Sequence, residues 1–175
     1  MTGATKDLAV SCLMPTFARH ARLPRAVAMF LAQRVPEAEL VIVSEDGLPD
    51  ALLERVPAHA VRHVPCAAGL SLGAKRNLAA EAARGRILLH WDDDDLHADD
   101  RLRRQIRIFA NDRIQLAGSS IVHFRDEGSG RCWEYRYGAN DRALPWVCGA
   151  TLAYRRDYWR HHPFEDVTVG EDNLF

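Results

Sequence analysis

The sequence lacks a paired cysteine motif, a membrane-length apolar run and an excess of charge of either sign. Its four cysteines, Cys12, Cys66, Cys132 and Cys148, are widely scattered, which argues against a structural zinc site and leaves two disulfides formally open. Reduced cysteines in a cytoplasmic compartment are the simplest account. No apolar run approaches the length that crosses a bilayer, so we expect no transmembrane segment.

Charge is balanced, with 23 Lys and Arg against 24 Asp and Glu. A chain of this kind does not hold a polyanion by bulk charge, so we expect no nucleic-acid partner and only a local anion site. A secretory leader is not indicated either, because the first apolar run, Leu8 to Met14, is short and is closed by Pro15. We read that run as a buried first strand.

The 175 residues, of which 47% are hydrophobic and 27% charged, suit one compact domain spanning 1–175. Apolar strands alternate with amphipathic helices in the first half, which predicts an α/β fold with parallel pairing and right-handed crossovers. The second half has shorter apolar runs, of which Trp146 to Tyr154 is predicted to be a strand, and a turn-rich stretch at 126–130. We expect a small antiparallel element there.

An acidic run follows a buried strand at the centre of the chain. The strand begins at Ile87, and Asp92 to Asp95 lie where it would emerge from the sheet. Two ionised carboxylates about 5 Å apart repel by roughly 3 kcal/mol at an effective dielectric near 20, so the run requires either free exposure to water or a cation. A solvated turn is one interpretation. Position favours a ligand site, because such sites lie beyond the carboxyl ends of strands, and a divalent cation held with a substrate phosphate fits this place.

An alanine-rich helix is predicted between Gly69 and Gly85, with Ser71 as its N-cap. Lys75 and Arg76 fall in its first turn, where the helix dipole disfavours cations. The two side chains either extend to water or meet an anion at that end of the helix.

Five short motifs, taken in order, resemble those of the family 2 glycosyltransferases, which have the GT-A fold. They are Pro15-Thr16-Phe17, Glu45-Asp46-Gly47, Gly73-Ala74-Lys75-Arg76-Asn77, Asp92 to Asp95, and Gly170-Glu171-Asp172. The resemblance implies a mostly parallel central sheet flanked by helices. It also implies a nucleotide-binding half, about 1–100, and an acceptor-side half, about 101–175. Transfer would run from a nucleoside-diphosphate sugar to an acceptor hydroxyl with inversion, assisted by Mn²⁺ or Mg²⁺.

The resemblance also implies a role for each matching residue. The donor would contact Pro15, Thr16, Phe17, Asp46, Lys75, Arg76, Asp92 and Asp93, with Asp46 accepting hydrogen bonds from the base and Arg76 completing the wall of the base pocket. Asp92 and Asp94 match the DxD motif, and the metal is expected at Asp94 and Asp95, although four consecutive aspartates leave the register open. Asp172 would be the catalytic base and Glu171 its supporting neighbour.

The chain ends three residues after Asp172, where the family continues. We therefore expect an incomplete acceptor half, in which Asp172 is poorly ordered or held only by Leu174 and Phe175. This leaves a non-catalytic nucleotide-sugar-binding domain as one alternative. A nucleotidyltransferase of related fold is another, although no glycine-rich phosphate loop follows the first strand. The acceptor would be a carbohydrate, a lipid or a protein, and the sequence does not indicate the oligomeric state.

Overall fold

The computed structural model describes residues 9–137 and 146–175. Its strands are β1 (Val10–Thr16), β2 (Ala38–Ser44), β3 (Val61–Pro65), β4 (Ile87–His90), β5 (Leu116–Ala117), β6 (Ile121–Arg125), β7 (Cys132–Arg136) and β8 (Ala153–Arg155). Its α-helices are α1 (Leu23–Ala32), α2 (Asp50–Leu53), α3 (Leu72–Ala82), α4 (Arg101–Ile108) and α5 (Arg156–His161). A 3₁₀ turn spans Gly149–Thr151. The predicted first strand began at Leu8, which lies outside the described residues.

Six strands form the central sheet in the order β3-β2-β1-β4-β8-β5. The first four are parallel, and β8 runs antiparallel to both β4 and β5. Every residue of β1 and β2 is buried, as is usual for parallel strands covered on both faces. The remaining two strands, β6 and β7, form a separate antiparallel hairpin. The predicted α/β fold, with a mostly parallel sheet and a small antiparallel element, is therefore confirmed.

Alternate residues of the central strands lie in two hydrophobic core layers, one on each face of the sheet. Cys12 and Met14 of β1 pack with Phe30 of α1 and Leu102 of α4 on one face. Leu13, between them in sequence, packs on the other face with alanines of α3 and with the rings of Tyr154, Trp159 and Phe164. The period-two alternation of a strand thus places helices on both sides of the sheet.

The prediction of a strand from Trp146 to Tyr154 was wrong in its extent. The segment forms the 3₁₀ turn first, closed by a hydrogen bond from the backbone N–H of Thr151 to the carbonyl of Cys148, and pairs with β4 only from Ala153. The Thr151 hydroxyl donates to the same carbonyl, which stabilises the turn. A short apolar run does not distinguish a buried turn from a buried strand.

Among the residues that the model describes, no helix combines the length and the apolar character needed to cross a membrane.

Candidate functional site

The carboxyl ends of three neighbouring parallel strands bring the predicted motifs to one edge of the sheet. β1 ends at Thr16, β2 ends at Ser44 just before Glu45 and Asp46, and β4 ends just before the four aspartates. Since β1 lies between β2 and β4, the three motifs are adjacent in space. This is the edge at which open α/β sheets bind ligands.

The four aspartates differ in their surroundings, beginning with Asp93. Asp93 is 1% exposed and accepts hydrogen bonds from the Thr16 hydroxyl at 2.5 Å and from Arg19 Nη1 at 2.9 Å. The same Arg19 atom donates to exposed Asp94 Oδ2 at 2.8 Å. Asp93 therefore ties the acidic run to the end of β1. Arg19, which the motif comparison did not single out, is a cation already placed against this run.

Asp92 belongs to a second arrangement. Arg76 Nη1 lies 3.4 Å from Asp92 Oδ1, and Arg76 Nε donates to Glu171 Oε1 at 3.0 Å. Arg76 and Glu171 are both buried, so this guanidinium connects the acidic run to the last motif of the chain. Arg76 was expected beside the nucleotide base near Asp46. The contacts place it between Asp92 and Glu171, and its role in the base pocket stays a prediction.

Asp95 carries the least compensated charge of the run. Burial, followed by the negative charges of Asp92 and Asp94, raises the pKa of Asp95 to about 6, against a smaller opposing effect of Arg101. A half-buried carboxylate surrounded by like charges is stabilised in its ionised form by a cation. The donor set, carboxylate oxygens only, is the one that hard divalent cations prefer.

The described residues contain no group of three or more His, Cys, Asp or Glu side chains arranged to hold a metal ion. A cation at Asp94 and Asp95 would therefore take its other ligands from water or from a bound phosphate. Such a ligand set, one or two carboxylates completed by substrate oxygens, is common for Mg²⁺. The residues present fit a divalent cation that binds together with an anionic substrate.

On the β2 side of the edge, Lys75 lies against an acid rather than in water. Its Nζ is 2.5 Å from Glu45 Oε1 and 5.2 Å from the centroid of the Phe17 ring. The hydrogen bond from Lys75, with a second from the Gly69 N–H, holds the pKa of Glu45 below its usual range. The Phe17 ring is 57% exposed, which leaves an open aromatic face beside a charged pair.

Asp46 closes this side of the site. Its Oδ2 accepts a hydrogen bond from the backbone N–H of Ala18 at 3.1 Å and lies 3.1 Å from His20 Nε2. Lys75 therefore lies against Phe17, and Asp46 against the loop that follows β1. The structure does not test whether a nucleotide base binds there.

Asp172 lies against the 3₁₀ turn that precedes β8. A Cβ atom built on Gly149 would stand 1.8 Å from Asp172 Oδ2, so only glycine leaves room for this carboxylate. The carbonyl of Gly149 accepts a hydrogen bond from Nδ1 of buried His90 at 2.7 Å. Tyr154 Oη lies 3.4 Å from the other ring nitrogen. Burial and the charge of Arg76 hold the pKa of His90 well below its usual value, so the ring is neutral and donates from Nδ1.

The expectation for the chain end was partly wrong. Phe175 stacks on Phe164 with ring centroids 4.1 Å apart and contacts Tyr154 at 4.6 Å. Leu174 is 67% exposed and does not anchor the segment. The main anchor is instead the buried pair of Glu171 and Arg76, which position in sequence alone did not reveal.

Residues 163–175, here called the C-terminal segment, cross the start of α3. Ser71 caps α3 by accepting from the Ala74 N–H, as predicted, and its hydroxyl donates to Asp166 at 2.5 Å. The N–H of Gly73 donates to the carbonyl of Val167. A Cβ on Gly73 would stand 1.9 Å from the carbonyl oxygen of Glu165, so Gly73 allows this close crossing.

Asn77 completes the attachment of the C-terminal segment. Its Nδ2 donates to the carbonyl of Phe164 at 2.8 Å, while its Oδ1 accepts from the Phe164 N–H at 3.0 Å and from Trp159 Nε1 at 2.9 Å. Gly149 lies against Asp172, His90 holds the Gly149 carbonyl, and Asn77 attaches the segment that carries Asp172; none of the three was predicted as functional. Only Asn77 carried a signal, as a member of the Gly73-to-Asn77 motif.

Comparison with known proteins gives one family and several structures. The model of the family described as glycosyl transferase family 2 matches residues 11–166, while no curated protein sequence matches the chain. A mannosyltransferase from Pyrobaculum calidifontis, PcManGT, solved in complex with GDP-Man and Mn²⁺, is 20% identical, with a TM-score of 0.72 over 97% of this chain and 51% of its own. S. aureus TarS 1-349 is also 20% identical, with a TM-score of 0.57 over 95% of this chain and 53% of its own. The chain therefore spans about half the length of both structures.

Proposed function

Because the chain belongs to glycosyl transferase family 2, we propose that it transfers a sugar from a nucleoside diphosphate to an acceptor hydroxyl, with inversion and with the help of Mn²⁺ or Mg²⁺. The observation that carries the proposal is the buried Arg76 between Asp92 and Glu171. This guanidinium joins the acidic run, where a diphosphate and its cation would bind, to the motif that ends in Asp172. The proposed donor half, about 1–100, and acceptor half, about 101–175, meet at this contact.

The donor would lie along the carboxyl edge of the sheet. Phe17 offers an exposed ring to a nucleobase or ribose, and Pro15 and Thr16 form the end of β1 beneath it. Asp46 offers a carboxylate to the donors of a base. The complex of the mannosyltransferase with GDP-Man and Mn²⁺ supports a nucleotide sugar and manganese as ligands of this fold.

Asp94 and Asp95 would hold the cation, while Asp93 supports the loop through Thr16. Asp93 is buried and already hydrogen-bonded, and Asp92 is paired with Arg76. Asp94 is paired with Arg19 but exposed, so a cation that binds Asp94 and Asp95 would take the place of Arg19 at Asp94. When bound, a divalent cation supplies Lewis-acid neutralisation of the charge that develops on the leaving diphosphate. Arg19 would add positive charge at the same end of the run.

Asp172 would take the proton of the acceptor hydroxyl as that oxygen attacks the anomeric carbon from the face opposite the leaving group, which inverts the configuration. A positioned carboxylate of this kind contributes typically 10² to 10⁴ in rate. Glu171, paired with Arg76 in the interior, would act by fixing the backbone that carries Asp172.

Two measurements test the proposal. Thermal shift with UDP, GDP, CMP and dTDP, with and without Mn²⁺, should identify a nucleotide whose binding requires the metal. A ligand at 100-fold excess over its dissociation constant stabilises the folded state by about 2.7 kcal/mol. Asp95→Ala should abolish the metal requirement together with most of the affinity, and equal nucleotide affinity in EDTA would contradict the proposed metal site.

The matched catalytic variant is Asp172→Asn, which keeps the size of the side chain and removes its basicity. We expect unchanged donor binding and a 10²-fold or greater loss of sugar transfer, or of donor hydrolysis where water replaces the acceptor. Unchanged turnover would remove Asp172 from the mechanism.

A further inference from the structure

A large cleft opens beside the acidic run on the acceptor side of the chain. Its volume is about 1090 Å³, and it lies between α4 and the β6–β7 hairpin. Asp94 and Asp95 line it together with Phe124, Arg125 and Glu127 of the hairpin, and Arg25, which donates to the Asp94 carbonyl at 3.4 Å, lies 3.9 Å from Glu127 Oε1. This volume exceeds the usual range for a pocket that holds one small ligand, so the cleft suits an extended molecule that reaches the acidic run.

The hairpin presents an aromatic face, which we define as Phe124, Trp133, Tyr135 and Tyr137. Phe124 and Trp133 are cross-strand partners and stack with centroids 5.9 Å apart. Tyr135 contacts Phe124 edge-on at 6.4 Å and Tyr137 at 4.8 Å. Phe124 and Tyr137 line the cleft, so the aromatic face continues its wall.

These rings are exposed although they are packed against one another. Trp133 and Tyr135 are each 51% exposed, and Phe124 is 41% exposed. A contiguous patch of exposed aromatic side chains on a soluble domain commonly marks an interaction site. The rings hold each other in fixed orientations, which reduces the entropy lost when a ligand packs on them.

The α4 side of the cleft carries polar groups. His97, whose Nδ1 accepts a hydrogen bond from Arg101 Nη1, lines the cleft together with Gln105 and Ser119. Amide and hydroxyl groups such as those of Gln105 and Ser119 form hydrogen bonds with the hydroxyls of a ligand.

One ligand chemistry matches both walls. A sugar ring offers C–H groups, which pack on the negative face of an aromatic ring, and hydroxyls, which bond to carboxylates, amides and imidazoles. An acyl chain would satisfy the aromatic wall only, and would desolvate Asp95 and Arg101 on the other. The charges of the lining residues thus favour a carbohydrate over a lipid tail.

We infer that the acceptor is a carbohydrate chain that stacks on the aromatic face and lies in the cleft, with its reactive hydroxyl near Asp94 and Asp95. The inference rests on the proposed function, because it assigns the acceptor of the same reaction. Cys148, Ala150 and Thr151 line the cleft and flank Gly149, against which Asp172 lies, so the cleft borders the turn that holds the proposed base.

The test measures binding of the full chain to an array of immobilised tri- to hexasaccharides of glucose, galactose, mannose and N-acetylglucosamine. We expect at least one to bind, and Trp133→Ala and Phe124→Ala each to weaken that binding at least tenfold, with Trp133→Phe restoring most of it. Ile121→Ala is the matched control, because Ile121 pairs with Arg136 on the other face of the same hairpin. It should change affinity less than twofold.

The inference is overturned if no oligosaccharide binds, if both alanine variants bind as tightly as the parent, or if the chain binds phosphatidylcholine vesicles and no saccharide. Nucleotide binding with Mn²⁺ is measured on the same samples. Nucleotide binding without saccharide binding overturns this inference and leaves the proposed function standing. Saccharide binding without nucleotide binding overturns the proposed function, and with it the assignment of the saccharide as acceptor.

Discussion

Replacement of Gly149 by alanine should separate sugar transfer from donor binding. The alanine Cβ would lie 1.8 Å from Asp172 Oδ2, 2.6 Å from its Cγ and 2.8 Å from its Cβ. Real Cβ atoms essentially never approach another heavy atom within 3.0 Å, so the carboxylate must move by at least 1.2 Å, the difference between 3.0 and 1.8 Å. The backbone of Gly149 does not have a positive φ, so the main chain itself accepts alanine.

The size of the effect follows from the displacement of the proposed base. A misplacement of about 1 Å at a reacting group costs on the order of 10²-fold in rate, and complete loss of a general base costs up to about 10⁴-fold. We therefore expect Gly149→Ala to lower turnover by about 10² to 10⁴. Donor affinity should change less than threefold, because Gly149 lies outside the nucleotide edge of the sheet.

The assay is the initial rate of donor hydrolysis or transfer at saturating donor and Mn²⁺, with nucleotide affinity measured by calorimetry. Asp172→Ala provides the control background, since it removes the carboxyl group, with its contacts at 1.8 and 2.6 Å, and leaves only the milder contact of the new Cβ with the Cβ of residue 172 at 2.8 Å. In the Asp172→Ala background, Gly149→Ala should lower turnover by less than a further threefold. The effects of the two substitutions would then be strongly non-additive, as expected for residues in contact. Full turnover in Gly149→Ala, or additive losses in the double variant, would refute the proposed link between Gly149 and Asp172.

Three further predictions concern the base pocket, the C-terminal segment and acid stability. Asp46→Ala should weaken nucleoside binding at least tenfold. Mn²⁺ binding, measured by the paramagnetic relaxation of water, should stay unchanged. A variant that binds nucleosides as tightly as the parent would contradict the base-reading role of Asp46. Asn77→Leu should lower the free energy of unfolding, measured in urea, by about 2–4 kcal/mol. The reason is that the polar groups of Trp159 and Phe164 lose their hydrogen-bond partners. A loss below about 0.5 kcal/mol would mean that water replaces the Asn77 amide. His90 is buried and neutral, and its pKa is lowered in the folded protein. The stability that this provides is fully present above the unfolded-state pKa, near 6.5. As the pH falls below that value, the free energy of unfolding decreases by at most about 1.4 kcal/mol per pH unit. His90→Asn, which keeps a donor near Gly149, should flatten that dependence between pH 6.5 and 5 in urea titrations, and an identical slope would refute the assignment.

Sequence reasoning identified the sheet because its signals were local. The apolar runs of β1, β2 and β4 are continuous and bounded by turn residues, and each predicts a strand buried on both faces. The carboxyl-edge motifs followed once the strands were placed, since parallel strands end at one edge of the sheet. Glu45, Asp46 and the four aspartates were located in this way.

The residues around Asp172 could not be predicted from the sequence in this way. Gly149 is required because the Asp172 side chain lies against its Cα, and Asp172 is 23 positions away in the sequence. His90 reads as the last residue of an apolar strand, and its contact with the Gly149 carbonyl spans 59 positions. Interactions at these separations depend on the folded topology, and neither composition nor periodicity contains them.

Arg76 illustrates how a motif can locate a residue without its partner. The first turn of α3 is an unfavourable place for a cation, and the sequence left two outcomes open, a side chain that extends to water or a nearby anion. The structure supplies two, Asp92 and Glu171, and both approach the same guanidinium.

A buried guanidinium between two acids has a consequence for the mechanism. Because Arg76 and Glu171 are both nearly inaccessible to water, neither charge is stable there without the other, and removal of one partner of such a pair commonly costs 3–5 kcal/mol. Loss of Arg76 would therefore release two acids at once, Asp92 at the acidic run and Glu171 beside the proposed base, because one buried side chain holds both.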